Sequence, residues 1–244
     1  MERKQFFKTM GLAGLAFAGL KTLNACSSDD DTLTATSGTD SSSDTSCTVS
    51  PTETAGPFPT KSPSTLVRTD ITSDRTGVAL GITITVKDVS NDCSVLQNAI
   101  VDIWHCDKDG NYSEYGGTNM QSTDYTSVHF LRGRQTTDSN GQVAFTSIFP
   151  GWYSGRATHI HVHIYNSAGN SLLITQIAFP EGSNSAVAQV NAATTYGYTK
   201  GMTGYTYNAN DNIFSDDTTG SEIATVSGSV SAGFELTHTI YAQS

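Results

Sequence analysis

The chain has 244 residues and a mass of 25.9 kDa, enough for one large domain or two small ones with a real buried core. Its formal charge is −10, with no basic stripe anywhere, which excludes a nucleic-acid partner because phosphate backbones are bound by clustered Lys and Arg. At 36% hydrophobic and 15% charged, with 22 Gly and with Ser and Thr spread between short Val, Ile, Tyr and Phe runs, the composition favours turn-rich β structure over a helical bundle.

The N-terminus reads as an address. Arg3, Lys4 and Lys8 precede the uncharged apolar run Met10 to Leu20, and Leu23-Asn24-Ala25-Cys26 follows. Residues 1–25 are thus expected to be an export signal, with an apolar core too short to stay in a membrane as a helix. Leu23-Asn24-Ala25-Cys26 resembles the lipobox of bacterial lipoproteins, which implies a lipid on Cys26 and an exported protein, periplasm-facing or on the cell surface, held to the membrane through that lipid alone. Arg3-Lys4-Gln5-Phe6-Phe7-Lys8 resembles a twin-arginine motif with Lys in place of the second Arg, so the export route stays open. Removal of 1–25 leaves nine Lys and Arg against 22 Asp and Glu, a charge of −13.

Residues 26–46 hold no aromatic residue and one large aliphatic, Leu33, so burial cannot offset the entropy of ordering them. They are expected to form a lipidated, flexible Ser/Asp-rich tether with a reach of roughly 25 Å. With Cys26 lipidated, Cys47, Cys93 and Cys106 remain, which suggests one disulfide and one free thiol. Cys93 with Cys106 is the preferred pair, since they bracket one predicted strand.

From 47 to 244 the pattern predicts one all-β domain, a β-sandwich with long loops. Ile82, Ile84 and Val86 alternate with Thr83, Thr85 and Lys87, the period of a strand buried on one face. Similar runs fall at Ala99 to His105, Gln142 to Ser147, Thr158 to Tyr165, Leu172 to Phe179 and Phe234 to Tyr241. Asp109-Gly110 and Asn140-Gly141 supply turns between them. No helical periodicity of useful length follows the signal, and Ala188 to Asp217 is expected to be the longest loop.

If Thr158 to Tyr165 is a strand, His159, His161 and His163 share one face while Ile160, Val162 and Ile164 share the other. Imidazoles two apart on a strand can converge on one metal ion, although a His-x-His pair alone also occurs as ordinary structure. Tyr153 and Arg156 lie just upstream in a Gly-rich turn, and Tyr112 ends the turn Asp107-Lys108-Asp109-Gly110-Asn111 after a predicted strand. Two phenols with two imidazoles favour a strongly charged ion, because phenolate is a hard anionic donor with a free pKa near 10.

Thr52-Glu53-Thr54-Ala55-Gly56-Pro57-Phe58, Val101 to Cys106 with Gly110 to Ser113, Phe130-Leu131-Arg132-Gly133, and Gly151-Trp152-Tyr153 through His161 resemble the intradiol ring-cleavage dioxygenases, over about 47 to 180. Within them the likeness is to the exported branch related to the β subunit of protocatechuate 3,4-dioxygenase. It implies a non-haem Fe(III) held by Tyr112, Tyr153, His159 and His161, with Tyr153 the ligand that leaves when substrate binds. It implies that Arg156 stabilises negative charge beside the ring, that Gln176 lines the pocket, and that Gly56 and Pro57 close the substrate side. The implied substrates are a small aromatic diol and O2, with ring opening between the hydroxylated carbons to a muconate-type product.

His163, His105 and His129 have no ligand role in that scheme and are expected to serve structure, and Trp104 and Trp152 to be core or pocket wall. The Tyr196 to Tyr207 stretch could wall the entrance or be plain surface. Two competing readings are a lipid-tethered binding or adhesion module, and a zinc or copper protein using His159, His161 and His163.

Overall fold

Leu80, Ile82, Ile84 and Val86 are all buried along β1 (Ala79–Asp88), while the residues between them stay partly exposed, so the alternation in the sequence becomes one wall of the core. The computed structural model describes residues 47–244; the expected export signal, Cys26 and the expected tether fall outside the described residues. Along one edge β1 pairs antiparallel with β2 (Ser94–Val95) and β5 (Gln142–Ile148). Along the other it runs parallel to β9 (Gly233–Ala242), which pairs antiparallel with β8 (Thr225–Ser229).

The second sheet has the order β4 (Arg132–Thr136), β3 (Ile100–Trp104), β6 (His159–Tyr165) and β7 (Ser171–Ala178), all antiparallel. Val101, Ile103, Ile160, Val162 and Ile164 of this sheet join Leu80, Ile82, Phe145 and Leu236 of the first in one buried cluster. Each such side chain contributes about 1.5–3 kcal/mol by leaving water. The architecture is mostly β, in two sheets.

The opposite face of the second sheet carries polar groups in register. Trp104 pairs with Arg132 on one side and His161 on the other, and His161 pairs with Gln176. These four therefore form one row across the sheet, covered by the β3–β4 and β5–β6 connections.

The structure changes three expectations. Ser185 caps a short helix, α1 (Ala186–Asn191), by accepting a hydrogen bond from the Ala188 N–H, within what was expected to be loop. Six residues are too few to show a helical period. Strands β2, β4 and β8 were not anticipated, because Arg132-Gly133-Arg134-Gln135-Thr136 and Thr225-Val226-Ser227-Gly228-Ser229 lack an apolar alternation. The disulfide joins Cys47 to Cys93, with Cα atoms 5.8 Å apart, and Cys106 is free and buried. Residues that bracket a strand sit at its two ends; the five residues of β3 span about 16 Å, beyond the ~7 Å a disulfide can bridge.

Candidate metal centre

The structure brings Tyr112, Tyr153, His159 and His161 together. His159 and His161 start β6, and their Nε2 atoms lie 3.2 Å apart. The Tyr112 hydroxyl is 3.2 Å from His159 Nε2. The Tyr153 ring sits edge-on to both Tyr112 and His159, with centroids 5.9 and 5.7 Å away. Phe58 stacks on Tyr112 at 4.8 Å and closes that side.

Each phenol is delivered by a turn that the local sequence builds. Asp107 Oδ1 accepts from the backbone N–H groups of Asp109 and Asn111, fixing the turn that ends at Tyr112. Gln121 then clamps the Tyr112 backbone, accepting from its N–H at 2.6 Å and donating to its carbonyl at 2.8 Å. Tyr153 opens a four-residue turn in which the Arg156 N–H donates to the Tyr153 carbonyl, with Gly155 at φ +86°. The turn sets Arg156 beside Tyr153, and Arg156 Nη1 lies 3.5 Å from both Tyr153 Oη and His159 Nε2.

The imidazoles are held by different means. His159 Nδ1–H donates to the Ala157 carbonyl at 2.6 Å, which leaves Nε2 with its lone pair directed at the cluster. His161 is oriented by packing: Trp104 stacks on it, and its buried Nδ1 has no hydrogen-bond partner among the described residues. Gly56, at φ +65°, lies against its edge, where a Cβ would come within 2.9 Å of Cε1.

The electrostatics suit a cation. Burial, helped by the charge of Arg156, holds the His159 pKa down at about 3, and burial with neighbouring His159 pushes that of His161 well below 6.5. Both rings are therefore neutral donors. Burial raises Tyr112 well above 10 and raises Tyr153 as well, so the phenols keep their protons until a strongly charged ion offsets the cost. Two neutral imidazoles with one fully buried and one half-buried phenol around them fit a trivalent ion better than zinc. Among the described residues no group of three or more His, Cys, Asp or Glu is placed to hold a metal, so this half-phenolic set stands apart. A surface cleft of about 450 Å³, lined by Glu181, Ala186 and Phe234 among others, contains none of the four side chains.

Residues 55–212 match the Dioxygenase_C family, described as Dioxygenase. The chain belongs to the intradiol ring-cleavage dioxygenase family. It is 30% identical over 142 residues to the chlorocatechol 1,2-dioxygenase of Rhodococcus opacus, covering 50% of this chain and 51% of that protein, so it spans about half the length of this curated relative. An intradiol ring-cleavage dioxygenase from Tetranychus urticae superposes with a TM-score of 0.69 at 28% identity, over 81% of this chain and 95% of that one. The dioxygenase domain of a dioxygenase carbohydrate-binding protein fusion from Streptomyces sp. SirexAA-E shares the fold, with a TM-score of 0.56 at 24% identity over 80% of this chain and 99% of that one.

The match of this intradiol-family chain runs beyond residue 180, to 212, and takes in Asp211, which the sequence did not single out. Asp211 is fully buried and accepts from Arg156 Nε. Arg132, also fully buried, donates to the carbonyls of Phe58 and Ser113, tying the 58–60 segment to the loop that carries Tyr112. Gln176 accepts from Arg156 Nη2 at 2.6 Å and donates to the Thr54 carbonyl, bridging the guanidinium to the strap that carries Gly56 and Pro57.

Three of the four other histidines, the ones singled out in the sequence, have partners of their own. Both nitrogens of His163 are engaged, with Ser171 Oγ and Tyr165 Oη, each at 2.8 Å, which removes it from a three-histidine site. His105 bonds to the Cys106 carbonyl and Ser147, and His129 to Glu114. In the Tyr-rich stretch, Tyr198 and Tyr205 are buried and bond to the Phe149 carbonyl and Glu181, while Tyr196 and Tyr207 are exposed. Trp152 donates to Asn191 and the Gly201 carbonyl, which makes it part of the core under α1.

Proposed function

We propose that this chain is a non-haem Fe(III)-dependent intradiol dioxygenase that opens a catechol-type ring between its two hydroxylated carbons, with O2, to a muconate-type product. The observation that carries the reading is the meeting of Tyr112 Oη, His159 Nε2 and His161 Nε2 at 3.2 Å steps, with Arg156 Nη1 reaching Tyr153 Oη beside them. Tyr112, Tyr153, His159 and His161 would hold the iron. When bound, a ferric ion supplies the Lewis acidity that draws the two oxygens of a diol and makes its ring reactive toward dioxygen.

The protein supplies the rest. Tyr153, less enclosed than fully buried Tyr112, is the phenol that can swing away, and its Oη is the atom that takes a proton from the incoming diol. Arg156 keeps a positive charge fixed beside the site, ready for anionic charge that develops on the ring. Gly56 lets the strap approach the His161 ring closely, and with Pro57 and Gln176 it bounds the space a ring would occupy. Phe58, Trp104 and Phe214 keep water from the donors, which strengthens each electrostatic contact.

The same reading places the protein outside the cytoplasm on an N-terminal lipid. The signal-like N-terminus supports this, as does a Cys47–Cys93 disulfide, which suits an oxidising compartment. No helix of the described residues is long and apolar enough to cross a membrane.

The activity is tested by loading the full chain with ferric iron and following oxygen uptake with catechol, protocatechuate, hydroxyquinol and chlorocatechol. Uptake matched mole for mole by a muconate-type product supports the reading. Iron-loaded protein that consumes no oxygen with any of the four refutes it.

A further inference from the structure

We propose that Asp211 is a positioning residue that locks Arg156 and His159 into a single arrangement, from a segment far downstream of both. Its carboxylate is fully buried. Oδ2 accepts from Arg156 Nε at 2.9 Å and from the Ala157 N–H at 2.6 Å, and Oδ1 accepts from the Ile213 N–H at 2.8 Å and again from Arg156 Nε at 3.2 Å. One carboxylate thus holds a guanidinium and a peptide at once, through charge-assisted bonds.

That peptide is the one that orients the metal-facing imidazole. Ala157 gives its N–H to Asp211, and its carbonyl accepts from His159 Nδ1 at 2.6 Å. A bond on one side of an amide strengthens the bond on the other, so Asp211 reinforces the tautomer that leaves His159 Nε2 free to bind a cation. On the guanidinium, Nε is taken by Asp211 and Nη2 by Gln176, which leaves Nη1 as the group facing Tyr153 Oη and His159 Nε2. The neighbouring backbone is braced by the same segment: the Thr158 N–H donates to Tyr205 Oη at 3.0 Å, and Phe214 lies 5.7 Å from the guanidinium and 6.3 Å from the His159 ring.

The inference rests on the ferric reading, and one set of measurements separates the two. Wild type, Asp211→Asn and Arg156→Ala are compared in the full chain for ferric affinity by chelator competition, for the visible band of the iron-loaded protein, and for kcat and KM in oxygen uptake. In Asp211→Asn the amide NH2 faces groups that can only donate. Ferric affinity should fall about 10- to 100-fold and the band should shift, with kcat falling more than KM rises. Arg156→Ala, which leaves the Asp211 to Ala157 bond in place, should keep the band and hold affinity within about 3-fold while slowing turnover. Thermal melts establish that each variant is folded; Asp211→Glu, which keeps the charge but displaces it, carries the same expectation if the amide variant does not fold. An Asp211 variant with wild-type affinity and band overturns the inference and leaves the ferric reading standing. A wild-type chain that binds no ferric iron overturns both.

Discussion

The indole of Trp104 lies flat on the imidazole of His161, with ring centroids 4.9 Å apart and 1° between the planes. The two are directly opposed in the β3–β6 register, so the stack is a consequence of strand pairing and fixes a ring whose Nδ1 has no hydrogen bond to hold it. Such a stack is worth about 0.5–1.5 kcal/mol beyond area burial. Trp104→Leu should therefore weaken ferric binding by about 2- to 10-fold, while Trp104→Phe, which can still stack, keeps most of it. Chelator competition on the two variants decides between them; equal affinities would show that the stack does not orient His161.

Gly56 and Gly155 both sit at positive φ, +65° and +86°, but a Cβ on Gly56 would meet the His161 ring at 2.9 Å whereas one on Gly155 would meet nothing within 4 Å. Each Ala substitution carries a backbone cost of about 1–2 kcal/mol. Only Gly56→Ala should also push on the donor ring. We expect both variants to melt a few degrees lower and Gly56→Ala alone to lose ferric affinity; matching affinities would remove Gly56 from the site.

How much of this was legible in the sequence depended on how local each cause is. The buried face of β1 and the placing of His159 and His161 follow from a period of two, which short stretches display in full. The turns that present Tyr112 and Tyr153 are likewise built from Asp107, Gly110 and Gly155 nearby. Asp211 was not legible, since it meets Ala157 across 54 positions and nothing around it marks the bond. The same holds for Cys47 and Cys93, separated by 46 positions and joined by the way the chain enters the domain beside the end of β1. Trp104 was visible as core or pocket wall, but its partner is set by strand register, which a sequence pattern leaves free.

Arg156 touches Tyr153 Oη and His159 Nε2 only at 3.5 Å, through one nitrogen, so its role toward the cluster is charge and not ligation. Arg156→Ala should reduce kcat for catechol about 10²- to 10³-fold, as loss of a fixed donor at developing negative charge does elsewhere. Arg156→Lys should recover little, because the Asp211 and Gln176 contacts require the planar fork. Steady-state oxygen uptake measures both; wild-type kcat in either would contradict this role.

Glu222 gives a stability prediction apart from the donors. It is 2% exposed, both of its carboxylate oxygens lack a hydrogen-bond partner among the described residues, and burial, with Glu53, Asp217, Asp216 and Asp211 nearby, raises its pKa from 4.5 to about 8. The folded state therefore holds this proton more tightly than the unfolded one. Its contribution is fully present below pH 4.5 and is lost as pH rises through 8. Glu222→Gln, neutral throughout, should melt close to wild type at pH 4 and be more stable at pH 9 by about 1–3 kcal/mol. Melting curves across that range test it, and a variant less stable at pH 9 would contradict it.

The central claim is that two phenols and two imidazoles share one ferric ion. The most direct measurement is the visible absorption of the full chain loaded with one equivalent of ferric iron, beside Tyr112→Phe and Tyr153→Phe. A reddish protein whose broad band shrinks in each variant, and moves when catechol is added to wild type, is the predicted result. A colourless iron-loaded protein, or one band unchanged in both variants, would contradict it.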